Sequence, residues 1–296
     1  MSVFTTSDGT ELFYRDWGEG QPVVFSHGWP LSGEAWSSQM QFLAARGFRT
    51  IAHDRRGHGR SDQPSGGNTM DRYADDLAEL IVSLDLNDII LVGHSTGGGE
   101  VVRYVGRHGT ERVAGLVTVS AIPPVMIQSD ANPDGVPAVA FDEIRHGLLA
   151  GRSDYYRALA EPFFGANRPG ATVSQGIKDE FWLLSMQCGL KAAFECIDVF
   201  SATDHHADLP RIDVPMLIIH GEEDQIVPIA NSAHKTARIV EHSVLKVYPG
   251  APHGLPQTRA IELNADLLAF ATAIGRRPPA PQPEAEPRIE VMLAPE

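Results

Sequence analysis

Short apolar runs alternate with stretches of helical spacing along most of this sequence, and that alternation narrows the fold more than any other feature. A strand buried on both faces reads as a near-continuous apolar run. Residues 22–26, 48–53, 113–119, 214–220 and 244–248 read this way, as does the run starting at Ile89. Helical spacing falls between them, over 36–45, 70–84, 97–108, 232–240 and 257–274. In 70–84 the apolar Leu77, Leu80, Ile81 and Leu84 share one face. Strands joined through helices must lie parallel, with the helices covering both faces of the sheet. Residues 2–6 and 11–16 alternate instead, with Asp8-Gly9 as a turn between them, and predict an antiparallel start. The expected class is α/β, with an eight-stranded, mostly parallel sheet.

The alternation stops after Ile122 and resumes near residue 212. Between them no strand pattern is visible. Helical stretches are predicted over 140–149, 154–159 and 176–199. So long a segment inside an α/β alternation is usually functional. The division is therefore 1–122 with 212–275 as the core, 123–211 as a helical cap inserted after strand 6, and 276–296 as a tail. The tail, rich in Pro, Glu and Arg, has too few apolar residues for a core and is expected to be disordered or extended.

Thirty-eight acidic against 24 basic residues give a net charge of −14, which argues against nucleic acid as a partner. No apolar run reaches membrane-spanning length, and no basic-then-apolar leader opens the chain. Cys188 and Cys196 lie eight positions apart, too far for a disulfide if that stretch is helical. The expected location is the reducing cytoplasm.

One strand-to-helix junction carries chemistry. Gly93-His-Ser95-Thr-Gly97 is a G-x-S-x-G turn following an apolar run and preceding a helical pattern. A strand reversing sharply into a helix leaves no room for side chains two positions either side of its apex, and it exposes the apex Oγ. The helix N-terminus behind it suits developing negative charge. A serine needs a base, and the base an orienting acid. In open α/β sheets such residues lie beyond the carboxyl ends of strands. Beyond the strand at 214–220 lies Gly221-Glu-Glu-Asp224, and beyond that at 244–248 lies Pro249-Gly-Ala-Pro-His253. Ser95, Asp224 and His253 then follow the chain order of α/β-hydrolases. Glu222 and Glu223 compete with Asp224 on spacing alone. His94 is expected to pack within the elbow, and His27, His53 and His58 to brace nearby loops. His205-His206 beside Asp204 lacks a second ligand cluster and is read as polar surface rather than a metal site. Two oxyanion donors are expected, the main-chain N–H groups of Thr96 and Trp29.

Four motifs together resemble the bacterial cofactor-free haloperoxidases, the branch of the α/β-hydrolase family that includes perhydrolases and aryl esterases. They are Ser26-His-Gly-Trp-Pro-Leu-Ser32, Asp54-Arg-Arg-Gly-His-Gly-Arg-Ser61, Gly93-His-Ser-Thr-Gly-Gly-Gly-Glu-Val101 and Ala251-Pro-His-Gly254. Gly135-Val-Pro137 and Val173-Ser-Gln-Gly176 extend the resemblance through the segment after Ile122, and it ends near Ala273. It implies a triad of Ser95, Asp224 and His253. Through Gly-x-x-Asp-x-x-Val-Pro it selects Asp224 over Glu222 and Glu223. It implies an oxyanion hole at Trp29 and Thr96. Many members carry Met where Thr96 stands, which puts the shape of the acyl pocket in question but not the main-chain donor.

The resemblance also implies an esterase that forms peracids without haem or metal. Serine takes up the acyl group of an ester or small carboxylic acid, and hydrogen peroxide replaces water in releasing it. The peracid then oxidises halide in solution. Pro30 fixes the backbone after Trp29 and is expected to favour perhydrolysis. The cap is expected to supply a small apolar pocket, from Val125, Met126, Phe141, Phe163, Phe164, Phe181 and Trp182, together with Pro30, Ile226 and Val227. A lactam amidase of the same branch is an alternative. A non-catalytic ligand receptor on the same fold is another. The expected partners are a small ester, carboxylic acid or lactam, plus hydrogen peroxide; no cofactor, metal, nucleic acid or membrane is expected, and a homo-oligomer is compatible.

Overall fold

A computed structural model describes residues 2–275. Its strands are β1 (Ser2–Thr5), β2 (Glu11–Trp17), β3 (Gln21–Ser26), β4 (Phe48–His53), β5 (Ile89–His94), β6 (Val113–Val119), β7 (Met216–Gly221) and β8 (Val244–Tyr248). They form one eight-stranded sheet in the order β1-β2-β4-β3-β5-β6-β7-β8. The β1–β2 and β2–β4 pairs are antiparallel and every other pair is parallel. This is the eight-stranded, mostly parallel α/β sheet expected from the sequence.

The central strand shows why an unbroken apolar run was needed. All six residues of β5 are buried. Ile89 and Leu91 join Val24 and Ile51 in the core on one face, with Leu77, Ile81, Val101 and Val105 of the covering helices α2 (Met70–Ser83) and α3 (Thr96–His108). Ile90 and Val92 join the opposite core, with Met40 and Leu43 of α1 (Ser37–Ala44) and Leu263 and Leu267 of α9 (Ala260–Gly275). Each large apolar side chain so buried contributes about 1.5–3 kcal/mol. Thr69 caps α2 by accepting from the Arg72 N–H at 3.2 Å. The remaining core helices are α7 (Ala233–Ile239) and the short α8 (Leu255–Thr258).

Between β6 and β7 the chain forms α4 (Ala138–Phe163), α5 (Gln175–Gln187) and α6 (Leu190–Ala202). Their side chains share a third apolar core with Trp29, Leu31 and Tyr73. The expected stretches 140–149 and 154–159 lie on either side of a kink at Gly151 in α4, where the backbone leaves helical geometry. One expectation is corrected. The stretch 176–199 is two helices, separated where Cys188 turns extended and the Gly189 N–H donates to the Gly57 carbonyl at 2.9 Å. Both cysteines are buried free thiols. The expectation for 276–296 lies outside the described residues.

Candidate active site

Ser95 sits between β5 and α3 with φ 54° and ψ −119°, in the left-handed half of backbone space that costs a side-chain-bearing residue energy. The surroundings hold it there. A Cβ on Gly93 would collide with the Gly97 carbonyl, and one on Gly97 with the Ser26 carbonyl. The Ser95 N–H donates to the Val119 carbonyl at 3.0 Å, which ties the apex to β6. The first turn of α3 then lies directly behind the serine.

The three acids after β7 take three separate partners. Glu222 accepts from the Gly250 N–H at 3.1 Å, and Glu223 pairs with Arg168. Asp224 accepts from His253 Nδ1 at 2.7 Å. Its other oxygen accepts from the N–H groups of Ile226 and Val227 at 2.9 and 2.8 Å. Burial alone would raise the Asp224 pKa, but electrostatic attraction to His253 and hydrogen bonds from His220 and His253 outweigh it. The carboxyl is held well below the usual carboxylate range. His220 Nε2 lies 3.3 Å from the Asp224 oxygen that meets His253, and it bonds the Val227 carbonyl at 2.9 Å.

His94 stacks against the His253 ring, with centroids 4.8 Å apart, and its Nε2 lies 3.1 Å from the His253 carbonyl. Burial, reinforced by the neighbouring His253, pushes the His94 pKa down to about 3. It is therefore a neutral imidazole near pH 7, donating from Nε2 to that carbonyl.

The second candidate oxyanion donor lies on the loop after β3. Neither the Trp29 nor the Thr96 N–H has a main-chain acceptor among the described loop and cap hydrogen bonds. The Trp29 indole is tied to α6 by a 2.9 Å bond from Nε1 to the Ala193 carbonyl. Beneath this loop lies a buried charge cluster. Glu100 accepts from Arg55 Nε at 2.7 Å, Ser26 Oγ at 2.8 Å and His53 Nε2 at 2.9 Å, and Arg55 Nη2 donates to the His27 carbonyl at 2.7 Å. Burial would raise the Glu100 pKa, yet the Arg55 charge brings it down to about 2.

Ser95, Thr96, Trp29 and His253 open onto one cavity of about 330 Å³. The rest of its wall is almost wholly apolar. Ala140, Phe141, Ile144, Leu159 and Phe163 come from α4, and Ile226, Val227 and Pro228 from the acid loop. Tyr155 and Gln225 are its polar contributions beyond those four residues.

A profile for the alpha/beta hydrolase fold matches residues 21–256. The chain belongs to the α/β-hydrolase family. The hydrolase is 55% identical over 273 residues to a non-heme chloroperoxidase of Streptomyces lividans, an alignment covering 91% of this chain and 99% of the other. It is 48% identical, with the same coverages, to a bifunctional esterase/perhydrolase of Acinetobacter calcoaceticus. Among solved structures, the bromoperoxidase of Bacillus anthracis superposes with a TM-score of 0.87 at 36% identity, covering 92% of this chain and all of the other.

Of the pocket residues expected from the sequence, the hydrolase places Met126, Phe141, Phe163, Ile226 and Val227 on the cavity wall and five others elsewhere. Phe164 and Phe181 pack edge-on against one another, with centroids 5.7 Å apart, behind Phe163. Trp182 is half-buried against α4, bonding Ser153 through Nε1 at 3.1 Å beneath the Arg157 guanidinium. Val125 is buried and its carbonyl accepts from Asn132. Pro30 is buried but absent from the wall. The reason is the same for the aromatic three: α4 and α5 turn those faces towards each other. Sequence reasoning missed Ile122, Val136, Ala140, Ile144, Tyr155, Leu159, Phe200, Gln225 and Pro228. A signal existed for some of them, because Tyr155, Leu159 and Phe163 recur every fourth residue and so line one helix face. His205 is also corrected: it is fully buried against Asp208 and α3, while His206 faces outward onto Asp204. Among the described residues no group of three or more His, Cys, Asp or Glu side chains is placed to hold a metal ion, and no helix is long and apolar enough to cross a membrane.

Proposed function

We propose that this hydrolase cleaves carboxylic esters through an acyl-enzyme on Ser95, and that hydrogen peroxide competes with water to release the acyl group as a peracid. The observation that carries the reading is the 2.7 Å bond from His253 Nδ1 to buried Asp224, with the same His253 and Ser95 facing one cavity. Nδ1 holds its proton for Asp224, which leaves Nε2 free as the base. It takes the Ser95 proton as Oγ attacks the acyl carbon. The carbonyl oxygen becomes an oxyanion facing the N–H groups of Trp29 and Thr96. The proton passes to the departing alkoxide, and the ester bond breaks. Water or hydrogen peroxide then gives a proton to His253 and attacks the acyl carbon, so that a carboxylic acid or a peracid leaves and Ser95 is restored. The peracid oxidises halide in solution, outside the protein.

The names of the relatives, chloroperoxidase and esterase/perhydrolase, support this pair of activities. The apolar wall supports a small acyl or aryl substrate. Residues 123–211 act as the cap that closes the pocket over the core of 1–122 and 212–275. A cytoplasmic enzyme working without cofactor, free or as a homo-oligomer, completes the proposal.

The test is hydrolysis of an aryl acetate by wild type and Ser95→Ala, followed by halogenation of a dye in acetate, bromide and peroxide. Ser95→Ala should lose at least about 10⁴-fold in kcat. Equal rates would return the chain to a ligand-binding role. Ester hydrolysis without halogenation would leave the esterase and remove the perhydrolase.

A further inference from the structure

Residues 163–168, at and beyond the end of α4, touch both loops of the acid–base pair. In the acid loop, Glu223 pairs with the Arg168 guanidinium, and Gln225 exchanges two 3.0 Å amide hydrogen bonds with Asn167. In the base loop, the Gly250 carbonyl accepts from Arg168 Nη1 at 2.9 Å, and the Gly254 N–H donates to the Phe163 carbonyl at 2.8 Å. Glu223 directly precedes Asp224, and Gly254 directly follows His253. Arg168 Nε also bonds the Gly165 carbonyl at 3.2 Å, which closes the segment on itself. One side chain therefore joins three pieces of the chain.

As a contribution to folding this matters little. The Arg168 and Glu223 side chains are 25% and 55% exposed, and such a pair is worth at most about 1 kcal/mol. As a spacer it matters more. A planar guanidinium bonded to acceptors in two loops fixes their separation, which a flexible ammonium does not. A displacement of about 1 Å in a reacting group costs roughly 10²-fold in rate. Phe163 belongs to the same segment; its ring meets the His253 ring edge-on at 4.9 Å and lines the cavity.

We infer that Arg168 is a positioning residue for the Asp224–His253 pair, through which the seating of the helical segment on the sheet sets the reactivity of Ser95. The inference rests on the acid–base roles proposed above. Cavity occupancy and base placement are linked in this arrangement, because Phe163 touches both.

Two readouts test it on the full-length protein. The first is aryl acetate hydrolysis by wild type, Ser95→Ala, Arg168→Lys and Arg168→Ala, from low salt to about 1 M, where screening acts over about 3 Å. The expected result is a roughly tenfold lower kcat in Arg168→Ala, about 1.4 kcal/mol, with KM within about twofold. Arg168→Lys recovers part of the loss, and salt lowers kcat in wild type but not in Arg168→Ala. The second readout is the His253 Nδ1 proton by NMR without substrate. It should broaden or shift in Arg168→Ala and be partly restored in Arg168→Lys. A kcat for Arg168→Ala within about twofold of wild type overturns the inference. So does an equal loss in both variants accompanied by a lower unfolding midpoint, which is a structural role. If wild type shows no Ser95-dependent turnover, the functional proposal fails, and the proton resonance decides alone: unchanged in Arg168→Ala, it overturns the inference.

Discussion

Pro30 is buried beside the cavity yet forms no part of its wall, so any effect on chemistry must pass through its neighbour Trp29. Trp29 is held at its indole by the Ala193 carbonyl and at its main chain by a proline that fixes φ and carries no N–H. We expect this to present the Trp29 carbonyl to bound hydrogen peroxide during release of the acyl group. Pro30→Leu should then lower peracid formation relative to ester hydrolysis. One hydrogen bond of about 1 kcal/mol corresponds to roughly fivefold in that ratio. Both rates, measured on the same enzyme preparation, check it; a ratio equal to wild type removes Pro30 from the mechanism. Thr96 contributes only its N–H to the proposed oxyanion site, so its side chain bears on cavity shape.

At the scale of elements, the loop carrying Trp29 rests on the Arg55–Glu100 pair, which ties the loop after β4 to α3 and, through the His27 carbonyl, to the loop after β3. Both side chains are at most 1% exposed. Glu100→Gln leaves Arg55 charged and uncompensated in the interior. Breaking such a buried pair costs about 3–5 kcal/mol, so the urea midpoint should fall accordingly. A loss under about 1 kcal/mol would mean that Ser26 and the His27 carbonyl suffice for Arg55. None of this was legible in the sequence. The strands were, because a strand buried on both faces needs an apolar residue at every position, as in β5. Ser95, Asp224 and His253 were legible because each follows a strand end. The Arg55–Glu100 pair and the break at Gly189 were not, since both depend on partners 45 and 132 positions away. The pocket was legible only in part, because helix spacing says which residues share a face and not which neighbour that face meets. Phe164 and Phe181 chose each other over the cavity for that reason.

For the whole molecule, the buried histidines set how the fold responds to acid. Burial pushes His27, His58, His94 and His205 down, His58 and His94 to about 3. In the unfolded chain the same groups take up protons near pH 6.5. Between those values the unfolded state binds more protons than the folded one, so stability is full above about pH 6.5 and falls as the pH drops towards 3. Glu100 acts in a lower window: brought down to about 2, it begins to cost stability only below its ordinary value of 4.5. Thermal unfolding should therefore show a plateau above neutrality and a decline that starts near pH 6.5. His58→Asn keeps a donor for the Arg56 carbonyl, which His58 Nδ1 now meets at 2.9 Å, and removes one titrating ring. Its slope between about pH 6.5 and 4.5 should be shallower than wild type; an unchanged slope would mean that His58 stays neutral in both states. The halogenation assay, when run at acidic pH, samples this same window. A halogenation rate that falls there in step with the folded fraction reports the histidines, whereas one that falls while the protein remains folded reports the chemistry at Ser95.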